Sequence, residues 1–328
     1  MNTTHTLPLS SPASRLRHFP ISFFSVVMGL AGFSIAWARA ESVLQLPISV
    51  SAALAWLAAA MFALFTGVYA LKATLYSAAV VQEFRHPVRI NFFPAFSISL
   101  LLLSIAFLQR APVAAALMWM LGTLVHLSFT LIVMNRWIHH PGVEVAHVNP
   151  SWFIPVVGNI LVPVTGVTLW PPDVSWFFFS IGLVFWLVLL TIVLYRLFFH
   201  APLPERMTPT LFIMVAPPAV GCIAYVALVG QVDAFAHVLY STALFFTLLL
   251  ATNAMRFLRT RFFLSAWAYS FPLAAMTIAT LMMAHHTGRF GYGVIATALL
   301  TVLTLVVAAL VVRTLVAVAR AEICVEEH

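Results

Sequence analysis

Ten continuous apolar runs, each about the length of a bilayer crossing, occupy the chain from Phe19 to Val312. A hydrocarbon core of about 30 Å needs roughly 20 apolar residues per helix. Inside it every backbone N–H and C=O must be paired within the protein, so such runs fold as helices of an integral membrane bundle. The runs approximate residues 19–38, 47–71, 92–109, 112–135, 151–170, 174–195, 208–230, 234–255, 262–285 and 290–312. They do not alternate in polarity, which disfavours a transmembrane β-barrel. Short connections make consecutive helices antiparallel neighbours. One all-α membrane domain, 19–312, is expected between tails 1–18 and 313–328, with no soluble catalytic or regulatory domain.

The chain is 63% hydrophobic and 8% charged, against roughly 25% charged in soluble domains. Its formal charge of +7 is not a nucleic-acid signal, because the basic residues are spread singly among the connections. With the N-terminus placed in the cytoplasm, thirteen of the sixteen basic residues fall on the cytoplasmic side, and only Arg39, Arg110 and Arg289 fall opposite. That is a strong positive-inside bias, and it supports ten helices with both termini cytoplasmic. Arg15, Arg17 and Ala38-Arg39-Ala40 mimic a signal peptide, but the apolar stretch between them is longer than the roughly 7–15 residues of a signal core. Cys222 and Cys324 form no CxxC pair, so neither a disulfide framework nor a metal site is indicated.

Proline separates odd helices from even ones. Pro155 and Pro163 lie in the fifth run, Pro217 and Pro218 in the seventh and Pro272 in the ninth, while Pro20 and Pro94 lie near the starts of the first and third. Even helices carry proline only at or before their first residues. Interior proline removes a backbone hydrogen bond and kinks a helix. In a membrane it is tolerated where protein or a water-lined cavity meets the freed carbonyl. Odd helices are therefore expected inside and even helices against lipid. The recurrence of Pro20, Pro94, Pro155, Pro217 and Pro272 suggests five hairpins of one type. Such a quasi-five-fold arrangement leaves an axial hole lined by odd helices. The alternative is that prolines are simply common in membrane helices.

Titratable groups are scarce within the runs. All nine acidic residues fall in loops, at helix edges or in the tail, including Glu326 and Glu327. Residues 72–91 read as the longest loop, either extending the second helix or lying at the interface. His126 is the one histidine well inside a run, where a packing role competes with a proton relay. The adjacent pairs His139-His140 and His285-His286 point about 100° apart on a helix, so they do not converge on a metal. His126 has no facing partner for a haem, and no nucleophile–base pair or phosphate loop stands out, so neither an enzyme nor a cofactor is expected. Phe271 precedes Pro272 about nine residues into the ninth helix, roughly 14 Å deep at about 1.5 Å per residue. A ring there can close a narrow pore as a hydrophobic gate, or it can merely pack.

Three segments resemble one family. They are His18-Phe19-Pro20 with Gly29-Leu30 and Ala36-Trp37; Asn149-Pro150-Ser151 with Val156-Val157-Gly158-Asn159; and Trp267-Ala268-Tyr269-Ser270-Phe271-Pro272, the most specific. They resemble the first, fifth and ninth helices of the tellurite-resistance/dicarboxylate transporter family, which takes in bacterial TehA proteins and plant slow-type anion channels. The resemblance implies a homotrimer in a bacterial inner membrane. It also implies a separate pore in each protomer and anion conduction past a phenylalanine on the ninth helix, here Phe271. The phosphorylated termini of the plant channels have no counterpart in these tails.

Together these readings give passive permeation of small monovalent anions, chloride and nitrate. Arg256, Arg259 and Arg261 would form a cytoplasmic vestibule that concentrates anions. Pro155, Pro163, Pro217 and Pro272 would kink the pore-lining helices, and the hydroxyls of Ser22, Ser25, Ser97, Thr165 and Ser270 would offer weak donors. Partners are small inorganic anions and membrane lipid, not nucleic acid. The alternatives are a secondary transporter for C4-dicarboxylates, sulfite or tellurite-type oxyanions, a redox subunit with a visible chromophore, and a non-conducting scaffold.

Overall fold

Ten helical spans run through the computed structural model, which describes residues 12–139, 142 and 144–324. His140, Glu326, Glu327 and the outer parts of both tails lie outside those residues. Spans 1 to 10 are Ile21–Val43, Ser51–Leu75, Arg89–Phe107, Pro112–His139, Pro150–Leu169, Pro172–Phe199, Glu205–Val229, Ala234–Ala251, Leu264–Thr287 and Phe290–Ala319. All are long and apolar enough to cross a bilayer. Spans 2, 4, 6 and 10 run further than their apolar runs. Lys72, Arg136, Arg196 and Arg313 therefore sit on helices rather than in connections. Lys72, Arg136 and Arg196 lie in last turns, where a cation complements the helix dipole.

The spans form two concentric layers. Over their most apolar stretches, 61–83% of residues are buried in the odd spans and 17–33% in the even ones. Each odd span packs on the next, and span 9 closes the ring on span 1. Each even span packs on the odd span before it and also touches the odd span that follows. The outward faces are apolar, as at Leu117, Leu124 and Leu131 of span 4 and Leu305 and Val312 of span 10. That pattern suits lipid.

The prolines act differently from the expected kinks. Each odd span opens in a 3-10 turn, at Ile21–Phe23, Arg89–Phe92, Pro150–Trp152, Glu205–Val215 and Leu264–Tyr269. It then passes into α-helix. In spans 3, 5, 7 and 9 a proline stands at that passage, whereas in span 1 Pro20 precedes the 3-10 turn itself. Pro94 caps Ala95–Phe107, Pro155 is third in Phe153–Val157, and Pro163 is second in Val162–Leu169. Pro217 is second in Ala216–Val229, and Pro272 is third in Ser270–Thr287. Within the first turn a proline forfeits no α-helical hydrogen bond. These residues thus mark a change of helix type instead of breaking a continuous helix. The even spans are uninterrupted α-helices.

Close backbone approach seals span 1 against span 9. A Cβ on Gly29 would come within 2.1 Å of Ser270 Oγ and 2.9 Å of the Trp267 ring. The 72–91 segment also departs from a simple loop, because it contains the helix Ser77–Arg85. Glu83 on that helix is buried and pairs with buried Lys72 at 2.7 Å. The expectation that acidic residues stay at edges and in loops therefore fails at Glu83. The pair clasps the start of span 1: Lys72 Nζ donates to Phe19 O at 2.8 Å, and Ile21 N–H donates to Glu83 Oε1 at 2.7 Å. Tyr69 OH adds a bond to Glu83 Oε2 at 3.1 Å.

Removing one partner of a buried ion pair strands the other charge and costs about 3–5 kcal/mol. Lys72→Met is therefore expected to lower the thermal unfolding midpoint in detergent, and adding Glu83→Gln is expected to recover part of the loss. A midpoint unmoved by Lys72→Met would contradict the clasp. Gly29→Ala is expected to cost about 1–3 kcal/mol through overpacking, with Ser270→Gly in the same chain relieving it. Wild-type stability in Gly29→Ala alone would count against the close contact.

Candidate functional site

All five odd spans contribute to one apolar cavity of about 70 Å³. A water needs about 10–15 Å³ on that scale, so the space admits a few small particles. Its walls include Ser25 and Met28 from span 1, Ala95 and Ile98 from span 3, and Phe153 and Gly158 from span 5. Ala216 and Pro217 come from span 7, and Phe271 and Pro272 from span 9. No charged side chain lines it, and its surface is almost wholly apolar.

The segment Trp267–Pro272 shows how local sequence aims Phe271. Trp267 is buried, and its Nε1 donates to Thr314 Oγ1 on span 10 at 2.9 Å, anchoring the 3-10 turn. The Tyr269 ring meets Phe212 of span 7 edge-on at 4.8 Å. Ser270 Oγ donates to Trp267 O at 2.6 Å and sits over Gly29. With Tyr269 and Ser270 engaged by neighbours, Phe271 faces the cavity together with Trp267, Ala268 and Pro272. A Cβ on Gly32 would lie 3.2 Å from the Phe271 ring, so the absent side chain gives the ring its seat on span 1. The six-residue turn rises about 2.0 Å per residue, which puts Phe271 about 14 Å from the start of span 9. The span begins later than the sequence suggests, but the tighter helix restores the depth.

The expected hydroxyl donors are mostly committed elsewhere. Ser25 is the one of the five on the cavity wall, and its hydroxyl donates to Ser22 O at 2.6 Å. Ser97 donates to Pro94 O at 2.8 Å, and Ser270 is held as above. Thr165 pairs with Ser104 at 3.3 Å, behind the wall. Ser22 is part-exposed and off the wall. In each odd span a polar side chain bonds the carbonyl three residues before it: Ser25 to Ser22, Ser97 to Pro94, Asn159 to Val156, Thr210 to Met207 and Ser270 to Trp267. Of these five, Ser25 alone is on the wall, and its hydrogen serves the backbone, so the wall has few donors left for an anion.

Pro217 and Pro272 lie on the wall, whereas Pro155 and Pro163 are buried behind it. Thr130 Oγ1 donates to Pro155 O at 2.7 Å, and Trp119 Nε1 to Val162 O at 2.9 Å, which ties span 4 to the broken helix of span 5. Arg256 and Arg259 are exposed on the short helix Ala254–Arg259. Arg261 is exposed too, and its N–H donates to Glu205 Oε1 at 3.1 Å. All three stand at the end where the odd spans begin, outside the cavity. The sequence reading missed the aromatic wall residues Phe92 and Phe153, which no spacing rule distinguishes from lipid-facing phenylalanines.

The family model described as SLAC1, voltage-dependent anion channel, matches residues 18–315. The S-type anion channel SLAH3 of Arabidopsis thaliana is 30% identical over 311 residues, covering 92% of this chain and 48% of the plant protein. The tellurite resistance protein TehA homolog of Haemophilus influenzae is 27% identical over 299 residues, covering 90% and 89%. An uncharacterized transporter of Methanocaldococcus jannaschii is 25% identical over 291 residues, covering 81% and 85%. The chain spans about half the length of the plant channels SLAH3 and SLAH2. Ten apolar spans, an inner layer of five and a match over nearly the whole length agree: this multi-pass membrane protein belongs to the SLAC1 voltage-dependent anion channel family.

Proposed function

We propose that this protein is an anion channel, passing small monovalent anions such as chloride and nitrate through the cavity between the odd spans, with Phe271 as the gate. The observation that carries the reading is Phe271 itself, held on the wall of an uncharged cavity to which all five odd spans contribute. An apolar constriction of this kind blocks ions by dewetting and opens when the ring moves aside. The relatives named as S-type anion channels support the class of ion.

In this reading the end bearing Arg256, Arg259 and Arg261 faces the cytoplasm of a bacterial cell. The arginines raise the local anion concentration there by long-range attraction. Farther in, the wall has neither carboxylate nor fixed cation and few donors, so an ion is held weakly and can leave as easily as it enters. Selection among anions then follows the cost of shedding water, which favours monovalent ions over sulfite or dicarboxylates. Three protomers, each with its own path, would assemble through their apolar outer faces. A coupled oxyanion transporter is the second reading, supported by the tellurite-resistance name of one relative; its signature would be saturable uptake driven by a proton gradient.

Phe271→Ala is expected to raise chloride current in planar bilayers by at least about tenfold, the equivalent of roughly 1.4 kcal/mol off the barrier. An unchanged current from a correctly folded variant would remove Phe271 as gate. Replacing Arg256, Arg259 and Arg261 together by Gln in the Phe271→Ala background is expected to cut current at low salt. Little change is expected at about 1 M salt, where the screening length falls to about 3 Å. A loss equal at both salt concentrations would contradict a concentrating vestibule.

A further inference from the structure

His126 belongs to the outer layer by sequence, yet its side chain reaches inward between spans 3 and 5. It is fully buried. Its Nδ1 lies 2.9 Å from Ser97 Oγ on span 3. Ser97 has one hydroxyl hydrogen, and that hydrogen goes to Pro94 O at 2.8 Å. With that hydrogen on Pro94 O, the neutral ring's Nδ1 donates to Ser97 and Nε2 is left a bare lone pair. Nε2 has no hydrogen-bond partner among the described residues. It points at Gly158: a Cβ built there would lie 2.6 Å from Nε2 and 2.5 Å from Cε1. Gly158 is part of the cavity wall, and so is Ile98 beside it. Only a glycine's backbone thus separates an unused imidazole nitrogen from the cavity.

The surroundings offer no other charge. The segments packed against span 4 on this side are Ala95–Phe107, Phe153–Val157, Gly158–Leu161 and Val162–Leu169, and none contains a titratable residue. On its own helix the charged or titratable groups are Arg136 and His139 near the far end, with Arg136 bound to the carbonyls of Phe84 and Arg85. A buried polar atom without a partner carries a desolvation cost, and a packing role alone does not require leaving it unmet. A group whose neutral form lacks a partner, placed beside a space that accepts an anion, has a reason to take up a proton when the anion arrives.

We propose that His126 is a proton-binding site linked to the anion occupancy of the cavity. The inference rests on the cavity being the anion path. An anion next to Gly158 favours the imidazolium, and the imidazolium favours the anion by the same factor, because such coupling is reciprocal. The charge appears only when an anion is there to balance it, so the unoccupied wall stays neutral and apolar. Acidification then raises anion occupancy and current, and chloride raises the pH at which His126 is half protonated. Ser97 holds the ring in place through both states, since the 2.9 Å contact between Nδ1 and Oγ can be kept in each.

Chloride currents of Phe271→Ala, alone and with His126→Gln, would be compared in planar bilayers from about pH 7.5 down to about 4, reaching below the range of an exposed imidazole. The Phe271→Ala current is expected to rise about fivefold or more on acidification, within the usual size of such coupling, and the rise is expected to vanish in the double variant. A rise that persists without His126, or no rise at all, overturns this proposal while leaving the anion path standing. No current from Phe271→Ala at any pH removes the path instead. A second measurement needs no current: 15N NMR titration of His126 in nanodiscs, in chloride and in gluconate at equal ionic strength. A higher midpoint in chloride supports the proposal, and equal midpoints overturn it. Gly158→Ala, whose methyl group would push the ring from the wall, is expected to shrink the chloride-dependent shift.

Discussion

Backbone polar groups in a bilayer cannot turn to water, and how the inner spans meet that constraint shapes the rest of this structure. Each odd span changes from 3-10 to α geometry, in spans 3, 5, 7 and 9 at a proline. In spans 1, 3, 5 and 9 a side chain near the change bonds the carbonyl three residues before it, and in span 7 Thr210 does so within the 3-10 turn. Span 5, the most broken, also needs Thr130 and Trp119 from span 4. On the cavity wall the Ser25 hydroxyl hydrogen is taken up by such a bond, to Ser22 O. The rest of the wall is almost wholly apolar, and under the proposed function that means weak interaction with a passing ion.

The charged residues are organised by the same economy. Glu83 serves the start of span 1, Glu41 bonds Val50 N and Ser51 N at the start of span 2, and Asp233 accepts from Phe235 N and Ala236 N at the start of span 8. Carboxylates thus satisfy exposed helix N–H groups at the two ends of the bundle, where the dipole favours a negative charge. Tyr225 and the Ala236 N–H hold the Asp233 carboxyl below its ordinary range. None reaches the cavity wall, so no fixed negative charge repels an anion there.

Much of this was legible before any coordinates. Hydropathy alone marks ten spans, because lipid demands long apolar helices. The odd–even placement of proline marks the two layers, although the prolines of spans 3, 5, 7 and 9 sit at changes of helix type rather than at the expected kinks. Phe271 stands out because it precedes Pro272 in a specific segment. Three features were not legible. Helix type at the prolines depends on local backbone geometry that proline permits equally as a kink or a restart. The Lys72–Glu83 pair links residues that look like an exposed loop, and only tertiary packing buries them. The inward aim of His126 depends on Gly158, a residue on another span, and a single sequence does not record which glycine faces which ring.

The central claim is that the five odd spans enclose a path on which anions, and not cations, gain by entering. The reversal potential of the Phe271→Ala current under a potassium chloride gradient tests it most directly. The account predicts reversal near the chloride equilibrium potential. Reversal near the potassium equilibrium potential would contradict it.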